Sequence, residues 1–241
     1  MITQPALTET TPRRAALIAG VGYVAVFVLA IFANFFVRTG LVDPDDAAAT
    51  FNNIAESEAL FRTGLFSFLI VFLLDVVIAW ALYVLLKNVS KELSRLAAWF
   101  RLVYTVFLGV SLLFFFLVLE LVTGGGYSEA FGSSQTEAQA TLFLDAFNYT
   151  WYIGLAAFGI HLMLVGYLLR RSGSAHRILA TLLMVAGAAY VVDTTAISLL
   201  STYSNYADLF LAMVALPSVV GELGLAIWLL RKAGKQQPAL R

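Results

Sequence analysis

Cysteine is absent from all 241 positions. That removes disulfides, thiolate metal ligands and thiol nucleophiles together, and it leaves the redox compartment unconstrained. Histidine occurs twice. Only His161 lies in an apolar stretch, so a bis-histidine haem site has no second ligand. No lysine falls inside any long apolar run, which excludes a retinal Schiff base. The glycine triplet in "TGGGYS" lacks the Lys-Ser/Thr of a phosphate loop. Charged residues make up 12% of the chain and cancel to zero, so nucleic acid is not an expected partner. No cofactor and no metal is expected.

Hydrocarbon is what the chain has in excess. Hydrophobic residues reach 61%, against about 45–50% in soluble domains. A water-soluble core cannot hide that much apolar surface, whereas lipid can cover it. Six segments reach the roughly 20 residues that cross a bilayer: 15–37, 62–86, 96–122, 141–169, 178–200 and 209–230. The first follows Arg13 and Arg14, as a signal peptide would. It is too long for that and has no small-residue cleavage site, so it reads as a true first helix. The expected fold is all-α: one domain over 1–241, a polytopic transmembrane bundle of six helices.

Basic residues set the orientation. Arg13, Arg14, Lys87, Lys91, Arg95, Arg170, Arg171, Arg177, Arg231, Lys232, Lys235 and Arg241 fall on the side of the two termini, leaving Arg38 and Arg62 opposite. Asp43, Asp45, Asp46, Glu56, Glu58, Glu129, Glu137 and Asp208 lie on that opposite side. Both termini are therefore expected in the cytoplasm. In the first outer loop, Asp43 as N-cap and Pro44 in the first turn predict a short surface helix over about 44–58, with Phe51, Ile54 and Ala55 on one face. In the second, Ser134-x-x-Glu137 predicts a capping box starting the fourth span. Small residues in "GLAAFGIHLMLVGY" and "LLMVAGAAYVVD" predict close helix approach, and Pro217 predicts a kink in the last span.

Five ionisable residues interrupt spans two to six, one in each: Asp75, Arg101, His161, Asp193 and Glu222. Each costs at least about 2.5–3.5 kcal/mol at the bilayer centre, so they should face the bundle interior. At about 1.5 Å rise per residue from the cytoplasmic helix ends, Arg101 lies roughly 9 Å deep, His161 and Glu222 roughly 14 Å, and Asp75 roughly 18 Å. These four can share a layer in which Arg101 pairs with Asp75 or with Glu222, His161 alongside. The carboxylate left over is then protonated or holds a cation. Asp193 sits higher, roughly 23 Å from Ile178. Nearer the outer ends lie Asn34, Arg38, Arg62, Glu120, Asp145, Asn148 and Tyr149. Asp145, Asn148, Tyr149 and Tyr152 share one face at i, i+3, i+4, i+7. Arg38 and Arg62 are expected to neutralise Glu120 and Asp145 around an outer polar vestibule.

The phrases "FFVRTGLVDPDDAAAT", "FRTGLFSFLIVFLLDVVIAWALYVLLK", "GIHLMLVGYLLRRSG", "RILATLLMVAGAAYVVD" and "GELGLAIWLL" resemble a bacterial membrane-protein family catalogued as domain of unknown function 4386. The likeness runs from about Arg13 to Lys232. It implies a multi-pass protein of the bacterial inner membrane and carries no catalytic role. Three readings stand open. The bundle binds or transports a small solute or cation through the polar layer. Alternatively it is an intramembrane enzyme, such as a zinc hydrolase using His161, Asp75 and Glu222, or a lipid-modifying protein. Or it is a structural or sensory subunit whose buried charges only set packing. The zinc reading is short of ligands, so the balance leans away from an enzyme. The bilayer is the one partner composition names, with a small molecule or cation as ligand; composition does not set the oligomeric state.

Overall fold

The computed structural model describes residues 10–124, 126–173, 175 and 177–234. His176 and two members of the basic tally, Lys235 and Arg241, lie outside them. The elements run in order α1 (Pro12–Ile31), a π-helical segment (Phe32–Arg38), α2 (Thr39–Leu41), α3 (Ala47–Glu56), α4 (Glu58–Leu86), α5 (Lys91–Val122), α6 (Tyr127–Phe131), α7 (Ser133–Ser172), α8 (Arg177–Leu199), a 3-10 turn (Tyr203–Tyr206) and α9 (Ala207–Gly234). Six of these stretches are long and apolar enough to cross a membrane. The protein is a polytopic helical membrane bundle, as its composition demands.

The long helices touch in chain order, α1 to α4, α4 to α5, α5 to α7, α7 to α8 and α8 to α9, and α9 returns to α1. Six helices closed in this way form a ring, and a ring has an interior to fill. Between α4, α5 and α7 an aromatic group fills it. Phe115 stacks on Phe147 at 4.1 Å, and Phe68 packs against Phe115, Phe147 and Trp151. One end of the ring is tied where α1 begins and α9 finishes: Arg13 Nε donates to Ala233 O at 2.6 Å. Over the other end lies α3, which touches α2, α4, α5 and α7.

Several caps differ from the sequence pattern. Thr11 caps α1 by accepting from Arg14 N, with Pro12 in the first turn. The short helix expected near Pro44 starts instead at Ala47. Asp43 is occupied in the preceding turn, where its Oδ1 accepts from Asp45 N, so Asp46 takes the capping role and accepts from Ala49 N. The helix turns Thr50 and Ile54 inward, both fully buried, while Ala55 stays exposed. The Ser134–Glu137 box does not form. Gly132, at φ +79°, delivers the chain straight into α7, whose first residue is Ser133. α7 is 40 residues long, roughly 60 Å at the helical rise and about twice the hydrocarbon thickness. Its first turns therefore stand clear of the bilayer and carry α3. Pro217 sits inside α9, which continues through it; having no N–H, it leaves the carbonyl of Met213 without its intrahelical donor.

α7 and α8 meet backbone to backbone. A methyl placed on Gly187 would run into Gly159 O, and one on Gly166 would lie 2.6 Å from Ala180 O. Neither obstacle is a side chain that could rotate aside, so glycine there is a packing requirement. Gly187→Ala is expected to cost about 1–3 kcal/mol, the usual range for overpacking. Gly40→Ala, whose methyl would meet only Phe35 O at 3.8 Å, should stay within about 0.5 kcal/mol of the parent. Unfolding midpoints of the detergent-solubilised protein compare the two, and equal midpoints would refute the close-contact account.

Candidate functional site

Arg101 projects from the middle of α5 into the ring and is 1% exposed. A guanidinium stays charged in proteins, so its N–H groups must find acceptors wherever it is buried. Three other helices supply them. Nε donates to Asp75 Oδ1 on α4 at 3.0 Å, and Nη2 donates to the same oxygen. Nη1 donates to Tyr23 Oη on α1 at 2.6 Å and lies 3.3 Å from His161 Nε2 on α7. The cation also sits over two ring faces, 4.8 Å from the centroid of Tyr23 and 5.4 Å from that of Phe158.

His161 is read from its neighbours. Its Nδ1 lies 2.8 Å from Ala97 O, and a carbonyl can only accept, so Nδ1 carries the proton. Nε2 then keeps its lone pair and accepts from Arg101, giving a neutral ring with both nitrogens engaged. Phe158 stacks on it at 5.7 Å. Thr105 Oγ1 donates to Arg101 O one turn further along α5.

The ion pair is lopsided. A carboxylate and a guanidinium commonly meet through both oxygens and two parallel bonds. Here both donors converge on Oδ1. Asp75 Oδ2 is buried and receives no hydrogen bond among the described residues. Beside the pair lies a cavity of about 220 Å³, lined by Asp75, Arg101, Asn34, Ser218 and Glu222 with Phe27, Phe68, Tyr104, Trp151, Phe158 and Tyr190. Glu222, half-buried on α9, shares this cavity with the pair but forms no hydrogen bond or ion pair among the described residues. Of the two partners open to Arg101 in the sequence, the structure selects Asp75, and Glu222 is the carboxylate left over.

The remaining predicted residues separate by position. Asp193 does not join the cluster; it accepts from Tyr203 Oη at 2.7 Å. Arg38 does not pair with Glu120 or Asp145. Its Nε donates to Asn34 Oδ1 at 2.7 Å and its Nη1 to Asn148 Oδ1 at 2.9 Å. Arg62 bonds Glu58 one turn earlier on its own helix, at 2.5 Å. Glu120, Asp145 and Tyr149 are exposed. A shared outer end was legible from span depth, but the rotation of each side chain about its helix was not. The π-helical segment adds to this: Thr39 N bonds Asn34 O five residues back, which turns Asn34 and Arg38 away from the positions an α-helix would assign.

Tyr23 is the residue that sequence reasoning missed. Its hydroxyl is the one side-chain hydrogen-bonding group between Arg14 and Asn34, and a phenol buried that deep needs a partner. That was the available signal. The zinc reading would require His161 Nε2 to exchange its bond from Arg101 for the metal, and among the described residues no three His, Asp or Glu side chains gather with the spacing of a metal site.

Removing one member of such a pair strands the other. Arg101→Met is expected to destabilise by about 3–5 kcal/mol, whereas Arg101→Met with Asp75→Leu should recover most of that loss. A thermal-unfolding double-mutant cycle measures it; a double variant worse than the single would show that the pair itself is strongly stabilising.

No solved structure matches this chain. A protein of Archaeoglobus fulgidus, described as uncharacterised, is 30% identical over 166 residues, covering 69% of this chain and 81% of its own length. The likeness thus extends to an archaeal protein. Residues 18–233 match the family described as a domain of unknown function, DUF4386. That range holds Tyr23, Asp75, Arg101, His161 and Glu222. The chain belongs to the DUF4386 family.

Proposed function

We propose that this integral membrane protein binds, and transports across the membrane, a small cationic solute through the cavity beside Arg101, with Glu222 as the principal counter-charge. The observation that carries the reading is the charge inventory of the cavity wall. Asp75 is offset by Arg101 and His161 is neutral, so among the described residues Glu222 is the carboxylate of the cavity wall with no ion-pair partner, and Asp75 Oδ2 adds a second acceptor that receives no hydrogen bond among them. An anion is disfavoured, because four of the five N–H groups of Arg101 already have acceptors.

The residues divide their labour in this reading. Asp75, Arg101, His161 and Tyr23 hold the helices in place, and Glu222 faces the ligand. Asn34 lines the cavity, and Arg38 links Asn34 to Asn148 on the side away from the termini. Asp193 stands apart, and Arg62, Glu120, Asp145 and Tyr149 are exposed, away from the cavity wall. The excess of arginine and lysine beside α1 and α9 supports termini in the cytoplasm, and the resemblance to a bacterial membrane family is what supports a bacterial inner membrane as its setting.

Glu222→Gln together with Asp75→Asn is expected to abolish saturable cation binding to the purified protein and cation uptake into liposomes, assayed with rubidium and with a panel of organic ammonium ions. Parent-like binding and uptake in the double variant would refute the proposal. A folded Glu222→Gln single variant separates loss of the ligand carboxylate from loss of the bundle.

A further inference from the structure

We infer that the ligand is an ammonium ion carrying an apolar tail, and that it reaches the cavity sideways from the acyl-chain region, through the seam between α1 and α9. This rests on the cation-binding reading above and names its substrate class and its route.

The bundle is tied at both ends. Away from the termini, Arg38 links the continuation of α1 to Asn148 on α7, two helices that are not neighbours in the ring, and α3 lies over that end. Towards the termini, the Arg13–Ala233 bond ties α1 to α9. One step further in, a methyl on Gly20 would lie 2.8 Å from the side chain of Leu230, so the two helices are in tight contact there.

The seam between these ends is looser. The cavity is walled by Val26, Phe27 and Ala30 on one side of it and by Val219 and Glu222 on the other. A second small void, about 30 Å³, lies in the same seam against Tyr23, Phe27 and Glu222. From Ala207 to Val220, α9 buries only Val214 and Ser218, while Leu216, Val219 and Val220 stand exposed. Below that, α9 leans on α8, where a methyl on Gly224 would touch Leu179.

The chemistry of the seam selects its occupant. A hydrated inorganic cation entering here would have to shed water against hydrocarbon walls that offer no replacement ligands. An alkyl chain meets those same walls favourably. The head group would then face the Glu222 carboxylate within a cavity lined by Phe27, Trp151 and Tyr190, a setting that suits a weakly hydrated ammonium. Tyr23 and Phe158 already hold the guanidinium of Arg101 in this way. At about 220 Å³ the cavity exceeds the roughly 150 Å³ that accepts benzene in an apolar core, which leaves room for a trimethylammonium group.

The cysteine-free chain makes the test direct. In nanodiscs, with empty nanodiscs subtracted, binding of decyltrimethylammonium is measured to the parent, to Glu222→Gln, and to Ala30→Cys with Val219→Cys before and after a short bis-maleimide bridge. Expected are at least about tenfold weaker binding in Glu222→Gln, at least about tenfold weaker binding of tail-free tetramethylammonium to the parent, and a decyltrimethylammonium association rate that collapses on bridging. A bridged protein that loads at the unbridged rate overturns the lateral route. Equal affinity for tetramethylammonium overturns the role of the tail, and equal affinity for the uncharged tert-butyl analogue overturns the role of the head. Rubidium binding that needs Glu222, with no alkylammonium binding, overturns this inference and leaves the cation-binding reading standing. Absence of every cation overturns both.

Discussion

One guanidinium organises the middle of this bundle. Arg101 cannot shed its charge, and hydrocarbon offers no acceptors, so the protein must bring acceptors to it. It does so from α1, α4 and α7 at once, through Tyr23, Asp75 and His161. Each bond restricts both the rotation of a helix about its own axis and its height along the bundle. Side chains of Leu and Val, which pack acceptably at many rotations, impose no such restriction. The buried ion pair is better understood as setting register than as a source of net stability.

The other half of the ring is held by different means. Among the described residues, α8 forms no hydrogen bond with the Arg101 cluster. It reaches α7 through Gly159, Gly166 and Gly187, where backbones touch, and α9 joins it through Gly221 and Gly224. Close packing of small residues aligns helices without any polar contact. The result is a molecule in which four helices share bonds to one guanidinium, while α8 and α9 are held by close packing together with hydrogen bonds to their neighbours, Thr194 Oγ1 to Tyr152 O and Arg13 Nε to Ala233 O. Glu222 sits on the second part and faces the first.

Sequence alone revealed a great deal of this. The six spans followed from the length of the apolar runs, and the convergence of Asp75, Arg101 and His161 followed from the cost of placing charge in lipid, once each was given a depth. Depth is a one-dimensional quantity, and there the inference stopped. Which carboxylate met Arg101 depended on helix rotation and ring order, neither of which is written in hydropathy. The outer residues failed for the same reason: Arg38 and Glu120 share a level but not an azimuth. Capping was misjudged at Asp43 because three acids in four residues each suit the role, and only the turn geometry decides among them. Tyr23 was hidden by its class, since tyrosine in a span is read first as an interfacial anchor and only second as an acceptor.

The π-helical segment from Phe32 to Arg38 has a geometric consequence of its own. A π turn accommodates one more residue than an α turn, so everything beyond it is phase-shifted about the helix axis, as if a single residue had been spliced in. Val37 meets Gly64 of α4 at a spacing that leaves no room for a methyl, while one position later Arg38 reaches across to α7. The widened turn acts as a swivel, letting one continuous rod satisfy two differently oriented walls.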